Sequence, residues 1–229
     1  EISACKVCVV EVQGVDELYG MHLSSNFPTG TFGVRPGALT SATDRFDIRV
    51  IGKGGHSAFP ETCVDPIVIA GEIVGALQTL VSRRIQAVEP AGVSVCMIHA
   101  GEAYNIIPGE VAITGSTRTF SKETRERLPK LMEELARGIC AAHGADCDFK
   151  FTLGYASVMN DKALTASSRK VIEEHFGESA VLEIDPLMPG EDFSALQEDC
   201  PGFFVELGAR SEEKGITFPH HNCRYLMDE

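Results

Sequence analysis

The succession of apolar patterns between residues 43 and 155 limits the possible folds of this chain more than any other feature. Residues 44–51 alternate polar and apolar side chains, which is the period of a strand with one buried face. After a glycine-rich turn, apolar residues recur every three or four positions over residues 67–81, which predicts an amphipathic helix. Residues 91–99 and 110–120 are rich in Val, Ile and Thr and predict a pair of strands.

A second helix and a fourth strand complete the series. Ser121 is a good N-cap for a helix that ends before Gly144 and carries four apolar residues on one face, namely Leu128, Leu131, Leu135 and Ile139. Residues 147–153 then supply the fourth strand. The order βαββαβ predicts a ferredoxin-like α+β domain, in which a four-stranded sheet carries both helices on one face.

The segments on either side of this domain belong to a different structure. Residues 15–38 are predicted to be rich in loops, and residues 160–176 predict a helix. Short strands are predicted at 181–183 and 203–207. We therefore predict three segments: part of an α/β domain over residues 1–42, an inserted ferredoxin-like domain over residues 43–155, and the rest of the α/β domain over residues 156–229.

Charge and cysteine content exclude some classes of partner. The net charge of -13 argues against nucleic acid, because no cluster of Lys and Arg offers a site for phosphates. The longest apolar runs, such as residues 66–70, end well short of the roughly 20 residues that span a bilayer. We expect no membrane partner.

The eight cysteines are scattered along the chain, which predicts reduced thiols in a cytoplasmic protein. Cys5 and Cys8 are interpreted as two small side chains on a helix.

Histidines are the first candidates for chemistry at neutral pH. His56 follows two glycines in the turn between a strand and a helix, where an imidazole can project freely. Glu191 and Asp192 lie at a turn before a helix, and this pair fits an acidic helix N-terminus as well as it fits a functional site. Three histidines at predicted helix or strand ends need no functional role, namely His99, His143 and His175, and the remaining candidates are His22, His220 and His221.

Six segments, taken in order, resemble the family of aminoacylases, hippurate hydrolases and auxin-conjugate hydrolases, which are metal-dependent amidohydrolases. The resemblance covers essentially the whole chain, and six motifs in one order are far more specific than any one of them. The segments are Gly-Val-Asp-Glu-Leu-Tyr-Gly-Met-His22, Gly-Lys-Gly-Gly-His56-Ser-Ala-Phe-Pro, His99-Ala-Gly-Glu-Ala-Tyr-Asn105-Ile-Ile-Pro, Gly-Ser-Thr-Arg118-Thr-Phe, Gly-Glu191-Asp192-Phe and His221-Asn-Cys-Arg-Tyr.

The resemblance implies a zinc-peptidase-like α/β catalytic domain with an inserted ferredoxin-like lid that forms a homodimer. His22 and His221 match two ligands of a pair of divalent metal ions, either zinc or manganese, and His220 is their neighbour. His56 matches a catalytic lid histidine that reaches into the partner subunit's active site and stabilises the tetrahedral oxyanion.

Two further lid residues, Asn105 and Arg118, match positions that contact the substrate. The implied reaction is attack of a metal-activated water on the amide bond of an N-acyl amino acid, a small-molecule substrate. The family's His-x-Cys-Gly-His-Asp and Glu-Glu segments, which precede the His22 region, have no counterpart in this chain, although Glu1 could align with the second Glu. We therefore expect this chain to be inactive by itself.

Two alternatives stay open. The first is a dipeptidase or carboxypeptidase of the same clan. The second is a dimerising ligand-binding module without catalysis, because ferredoxin-like sheets often serve in that way. The second alternative predicts that His56, Asn105 and Arg118 lie far apart.

Overall fold

The structure, a computed structural model, describes residues 14–228. These residues divide into two compact units, of which one is Ala42–Tyr155 and the other is made of the residues before and after it. The predicted inserted domain began one residue later, at residue 43. Glu1 and the Cys5 to Cys8 motif lie outside the described residues.

The chain forms twelve strands and four α-helices within its described part. Before the inserted unit come β1 (Leu18–Pro28), β2 (Phe32–Val34) and β3 (Gly37–Ala38). The inserted unit contains β4 (Ala42–Ile51), β5 (Gly55–His56), α1 (Pro66–Thr79), β6 (Ala91–His99), β7 (Ile106–Ile107), β8 (Glu110–Thr119), α2 (Lys122–Ala142) and β9 (Asp146–Thr152). After it come β10 (Met159–Asn160), α3 (Lys162–Phe176), β11 (Val181–Glu183), α4 (Phe193–Leu196) and β12 (Gly202–Arg210).

The inserted unit is an antiparallel sheet of order β6-β8-β4-β9. One face of the sheet packs against both α1 and α2, and alternate residues of β4, including Phe46, Ile48 and Val50, are buried there. The other face carries polar side chains. This is the predicted ferredoxin-like order of strands and helices, and the prediction is confirmed.

Helix α1 begins at Pro66. Asp65 is its N-cap, and the Asp65 side chain accepts a hydrogen bond from the amide of Ile67. With the π-type turn that follows it, Pro66–Arg84 is long and apolar enough to cross a membrane by length and composition alone. Its residues Ile73 and Leu77 are fully buried in the core of the inserted unit, whereas Ile67 and Val68 are exposed, and 33% of the apolar window is buried.

A buried ion pair joins three elements of the inserted unit. Asp44 at the start of β4 is 3% exposed, and its carboxylate accepts hydrogen bonds from Arg125 of α2, with Nη2 at 2.6 Å and Nε at 2.9 Å. The amide of Gly154, just after β9, donates to the same carboxylate at 2.9 Å. Every charge of the pair therefore has a partner, which is the condition under which a buried ion pair is tolerated.

The other unit contains a six-stranded mixed sheet. The strand order is β11-β2-β12-β10-β3, and β1 pairs with β12 in parallel. Successive residues of β12 point to opposite faces, so Phe203 packs against α3 whereas Phe204 packs against Phe193 of α4. Asn160 of β10 is buried and exchanges hydrogen bonds with both the amide and the carbonyl of Phe204.

The prediction of a loop-rich segment over residues 15–38 is wrong. The segment holds β1, which has 11 residues, together with β2 and β3. The sequence of β1 contains Gly20, Ser24, Ser25 and Asn26, which have low strand propensity. Pairing with the apolar strand β12 outweighs this local preference.

We predict that Asp44→Ala lowers the free energy of unfolding by about 3 kcal/mol, because it leaves Arg125 partly buried without its counter-ion. Chemical denaturation of the chain measures this value. Asp148→Asn is the control, since Asp148 pairs with Arg49 on an exposed surface and its loss should change little. Equal effects of the two substitutions would contradict the prediction.

Candidate functional site

His22 lies on β1 and is exposed to solvent. Its Nδ1 is 2.6 Å from the carbonyl oxygen of Leu23, which can only accept, so Nδ1 carries the proton and donates it. The lone pair of Nε2 is then free. A histidine that is oriented by a carbonyl at one nitrogen and open at the other has the usual arrangement of a metal ligand.

His220 lies beside His22, with 5.4 Å between the ring centroids. The amide of Ser25 donates to its Nε2 at 3.1 Å, so this lone pair is already in use. Burial lowers the pKa of His220, and the nearby His22 and His221 lower it further. His220 is therefore a neutral neighbour of His22 whose accepting nitrogen is engaged by the backbone.

His221 has a backbone φ of 62°, and among residues 14–228 it is the one residue other than glycine with a positive φ. Side chains with a Cβ rarely adopt this left-handed conformation. Such strain often accompanies functional positions. The side chain is exposed, and its charge lowers the pKa of the adjacent His220.

Glu206 is a residue of this region that sequence reasoning missed. It lies on β12 in register with His22 on the parallel strand β1, so both side chains leave the same face of the sheet. Glu206 is 8% exposed, and burial raises the pKa of its carboxyl group against the opposing effects of His22 and Ser24. The signal in the sequence was a charged residue inside the apolar run 203–207.

The acidic pair Glu191 and Asp192 lies near Glu206. Asp192 occupies the N-cap position of α4, but its side chain makes no capping hydrogen bond. Its amide instead donates to Oε1 of Glu191 at 2.9 Å. Burial raises the pKa of Glu191, as do the hydrogen bond and the negative charge of Asp192. The charge of Glu191 also raises the pKa of Glu206, so two carboxylates share this region.

These side chains provide donors that suit a divalent metal, namely open imidazole nitrogens and carboxylates. Within residues 14–228, however, no group of three or more His, Cys, Asp and Glu side chains already converges to hold an ion. The described residues therefore fit part of a metal site.

A second predicted cluster lies in the inserted unit. Strand β5 pairs with β7, so that His56 is opposite Ile106, and the amide of Ser57 donates to the carbonyl of Asn105 at 3.0 Å. The structure therefore brings His56 and Asn105 into adjacent segments. His56 is exposed, and its Nδ1 accepts from the amide of Ala58 at 3.1 Å. In the neutral ring Nε2 then carries the proton and is a free hydrogen-bond donor.

Glycines allow the segment before His56 to approach the neighbouring backbone closely. A Cβ at Gly54 would lie 2.7 Å from the carbonyl oxygen of Ile107, and a Cβ at Gly52 would collide with the carbonyl of Val64. A cavity of about 680 Å³ lies beside this turn and is lined by Gly54, Gly55, His99, Glu102 and Ile106 among others. A second cavity, of about 430 Å³ between α3 and β11, contains none of the predicted site residues.

Arg118 lies apart from this cluster. It is near the end of β8, and its guanidinium donates to the hydroxyl of Thr43. The His56 turn follows the opposite end of the β4-β8 pair, where Ile51 is opposite Glu110. At roughly 3.3 Å per residue, the eight residues from 110 to 118 span about 26 Å. Within one chain, His56 and Arg118 do not share a site.

An α/β unit with neighbouring histidines, interrupted by a ferredoxin-like unit with an exposed histidine turn, is the organisation that the family resemblance implies. Comparison with known families agrees with it. Residues 42–143 match the peptidase dimerisation domain of the M20 family. Together with an M20 peptidase structure that matches most of the chain, this match confirms the predicted family and fold class.

Individual relatives extend the match beyond that domain. The chain is 37% identical over 232 residues to an N-acetylcysteine deacetylase of Bacillus subtilis, covering 100% of this chain and 59% of the relative. It is 34% identical over 219 residues to thermostable carboxypeptidase 2 of Saccharolobus solfataricus, covering 95% of this chain and 55% of the relative.

A solved structure also matches. It is a dinuclear metal-binding peptidase of the M20 family from Bacillus subtilis, with a TM-score of 0.78, 32% identity, and coverage of 94% of this chain and 53% of that one. The chain thus spans between 53% and 59% of the length of these relatives.

We predict that Gly54→Ala destabilises the His56 turn by about 1–3 kcal/mol, because the new methyl group must displace the backbone of β7. Gly71→Ala is the control. Gly71 is an exposed residue of α1 with open space around it, so alanine there should be neutral or stabilising.

Denaturant unfolding together with hydrogen exchange at the Ser57 amide measures the effect of Gly54→Ala. Faster exchange at Ser57 in Gly54→Ala and unchanged exchange in Gly71→Ala are expected. The packing argument is wrong if Gly54→Ala leaves both measurements unchanged.

Proposed function

We propose that this chain provides the lid and the C-terminal part of the catalytic domain of a metal-dependent amidohydrolase that cleaves N-acyl amino acids. The match to the dimerisation domain of the M20 family and 37% identity to a deacetylase of an N-acyl amino acid support this proposal. The observation that carries it is the free Nε2 of the exposed His22, which the carbonyl of Leu23 orients and His220 adjoins. Within residues 14–228 no complete metal site is formed, so we expect this part of the protein to be inactive by itself.

His22 and His221 are the proposed metal ligands. When bound, a pair of zinc or manganese ions would supply Lewis acidity that activates a water molecule and polarises the amide carbonyl. The carbonyl of Leu23 keeps His22 in the tautomer that presents Nε2. The amide of Ser25 holds His220 in place next to it.

His56 is the proposed oxyanion donor. Its Nδ1 accepts from Ala58, which leaves the Nε2 proton to donate to the charge that develops on the amide oxygen. Asn105, on the segment bonded to the His56 turn, is proposed to contact the substrate beside it. Arg118 is proposed to bind the substrate carboxylate, since only Thr43 is found bonded to its guanidinium within residues 14–228.

The separation of these lid residues favours a homodimer. Because Arg118 lies about 26 Å along β8 from Glu110, at the end of the strand nearer the His56 turn, one lid cannot offer both His56 and Arg118 to the same substrate. In a dimer, each lid can offer Arg118 to one site and His56 with Asn105 to the other. Each active site would then combine Arg118 from one lid with His56 and Asn105 from the other lid.

The edge strand β6 is the proposed contact between lids. The sheet has two edges, β6 and β9. Strand β6 exposes Met97 and Ile98, each about half, whereas the exposed side chains of β9 include Asp148 and Lys150. Charged side chains protect an edge from pairing, and apolar ones invite it. The β6 edge is therefore the one available to a second copy.

A peptidase activity is the second candidate, because the chain is 34% identical to a thermostable carboxypeptidase. The same metal chemistry would serve both reactions. Turnover of N-acetyl and N-benzoyl amino acids compared with that of unblocked dipeptides distinguishes them.

We also propose a cytoplasmic location, since the six cysteines among the described residues are unpaired thiols.

We predict that His56→Ala and His221→Ala each abolish N-acyl amino acid hydrolysis in the complete protein, and that mixing the two variants restores it. A mixed dimer holds one site with an intact His221 and the partner's intact His56, so about one quarter of wild-type activity should return. Hydrolysis of N-acetyl amino acids after co-refolding measures this recovery. Absence of any recovery would show that His56 serves its own subunit.

We predict that Ile98→Lys weakens self-association of the protein at least about tenfold, because a charge replaces an apolar contact at the proposed interface. Light scattering over a range of concentrations measures the dimer constant. Thr152→Lys introduces the same charge on the exposed β9 edge and should leave the constant unaltered. A larger effect at β9 than at β6 would show that the interface lies at β9 and would contradict the proposal.

A further inference from the structure

Glu206 has no role in the family resemblance or in the proposed reaction so far. It lies at the centre of β12, between Val205 and Leu207, in a run of otherwise apolar side chains. Its side chain leaves the same sheet face as His22, which is its register partner on the neighbouring parallel strand. With 8% exposure it is one of the two acidic residues classed as buried within residues 14–228, the other being Asp44.

A buried carboxylate is expensive unless a cation or several donors compensate it. Asp44 meets this condition fully, through two nitrogens of Arg125 and the amide of Gly154. Glu206 does not meet it. Among the described residues no Lys or Arg forms an ion pair with Glu206, and the Ser24 side chain and His22 compensate its charge only in part.

The surroundings of Glu206 also add negative charge. Glu191 lies close enough for its charge to act on Glu206, and Asp192 adjoins Glu191. A fold that needed only packing at this strand position would place an apolar side chain there, as it does at the neighbouring positions of β12. The retained charge, directed to the face of His22, is what a bound cation would compensate.

We infer that Glu206 is an acidic member of the divalent-metal site that contains His22. Its negative charge, fixed opposite His22 by the register of two parallel strands, raises the affinity of that site for the metal. This inference rests on the proposed function, since it uses the metal site to which His22 is assigned. It assigns Glu206 a charge effect on metal binding and no part in the proton transfers of hydrolysis.

The substitution Glu206→Gln tests the inference because it keeps the shape of the side chain and removes the charge. In the complete protein we expect the dissociation constant for Zn²⁺ or Mn²⁺, measured by competition with a chelating indicator, to rise about 10–100-fold. In the metal-free complete protein we expect unfolding in denaturant to occur at the same or a higher midpoint than in the wild type, because an uncompensated buried charge is gone.

Glu178→Gln is the matched control. Glu178 is an exposed residue on the turn before β11, so the same change in net charge there should alter neither the metal affinity nor the midpoint. A metal affinity of Glu206→Gln within twofold of the wild type overturns the inference. So does a fall in affinity that is matched by a loss of metal-free stability, because Glu206 would then act on folding alone.

The outcomes separate this inference from the proposed function. A protein that binds the metal with the expected dependence on Glu206 but hydrolyses no N-acyl amino acid contradicts the proposed function and supports the inference. A protein that hydrolyses these substrates, and whose Glu206→Gln variant binds metal as well as the wild type, supports the proposed function and contradicts the inference. A complete wild-type protein that binds no divalent metal overturns both.

Discussion

The parallel pairing of β1 with β12 is the constraint on which the proposed metal site depends. It runs from Leu18 opposite Gly202 to Ser24 opposite Gly208, and its register sets His22 opposite Glu206. A shift of one residue would move every side chain of β1 to the other face of the sheet. The backbone of the same strand orients the histidines, through the carbonyl of Leu23 and the amide of Ser25. The strand therefore both supports the proposed metal site and carries one of its proposed ligands, His22.

The inserted unit obeys a different constraint, which is the length of its central strands. The β4-β8 pair extends for ten residues, from Ala42 opposite Thr119 to Ile51 opposite Glu110. It carries Arg118 near one end and leads to the His56 turn at the other. A rigid sheet with functional groups at both ends can serve two sites better than one. The proposed need for a partner subunit thus follows from the length of this sheet.

Much of this organisation could be predicted from the sequence, because long periodic segments report their own structure. Both helices of the inserted unit and all four strands of its sheet follow from local patterns, and α3 and β11 do as well. Strand β1 could not be predicted, since its Gly and Ser residues become a strand only through pairing with β12. Glu206 was missed for a related reason: its significance comes from a register partner 184 positions away in the sequence. The proximity of His56 and Asn105 follows from the motifs, but the distance of Arg118 from them needed the strand register.

A structure of the complete, metal-loaded protein with a bound N-acyl amino acid tests the central claim most directly. The account predicts that Nε2 of His22 and an imidazole nitrogen of His221 lie about 2.0–2.1 Å from metal ions, with the carboxylate of Glu206 beside His22 and His56 of the partner subunit next to the substrate carbonyl. Metal ions bound elsewhere, or a substrate carbonyl contacted by the His56 of the same chain, would contradict it.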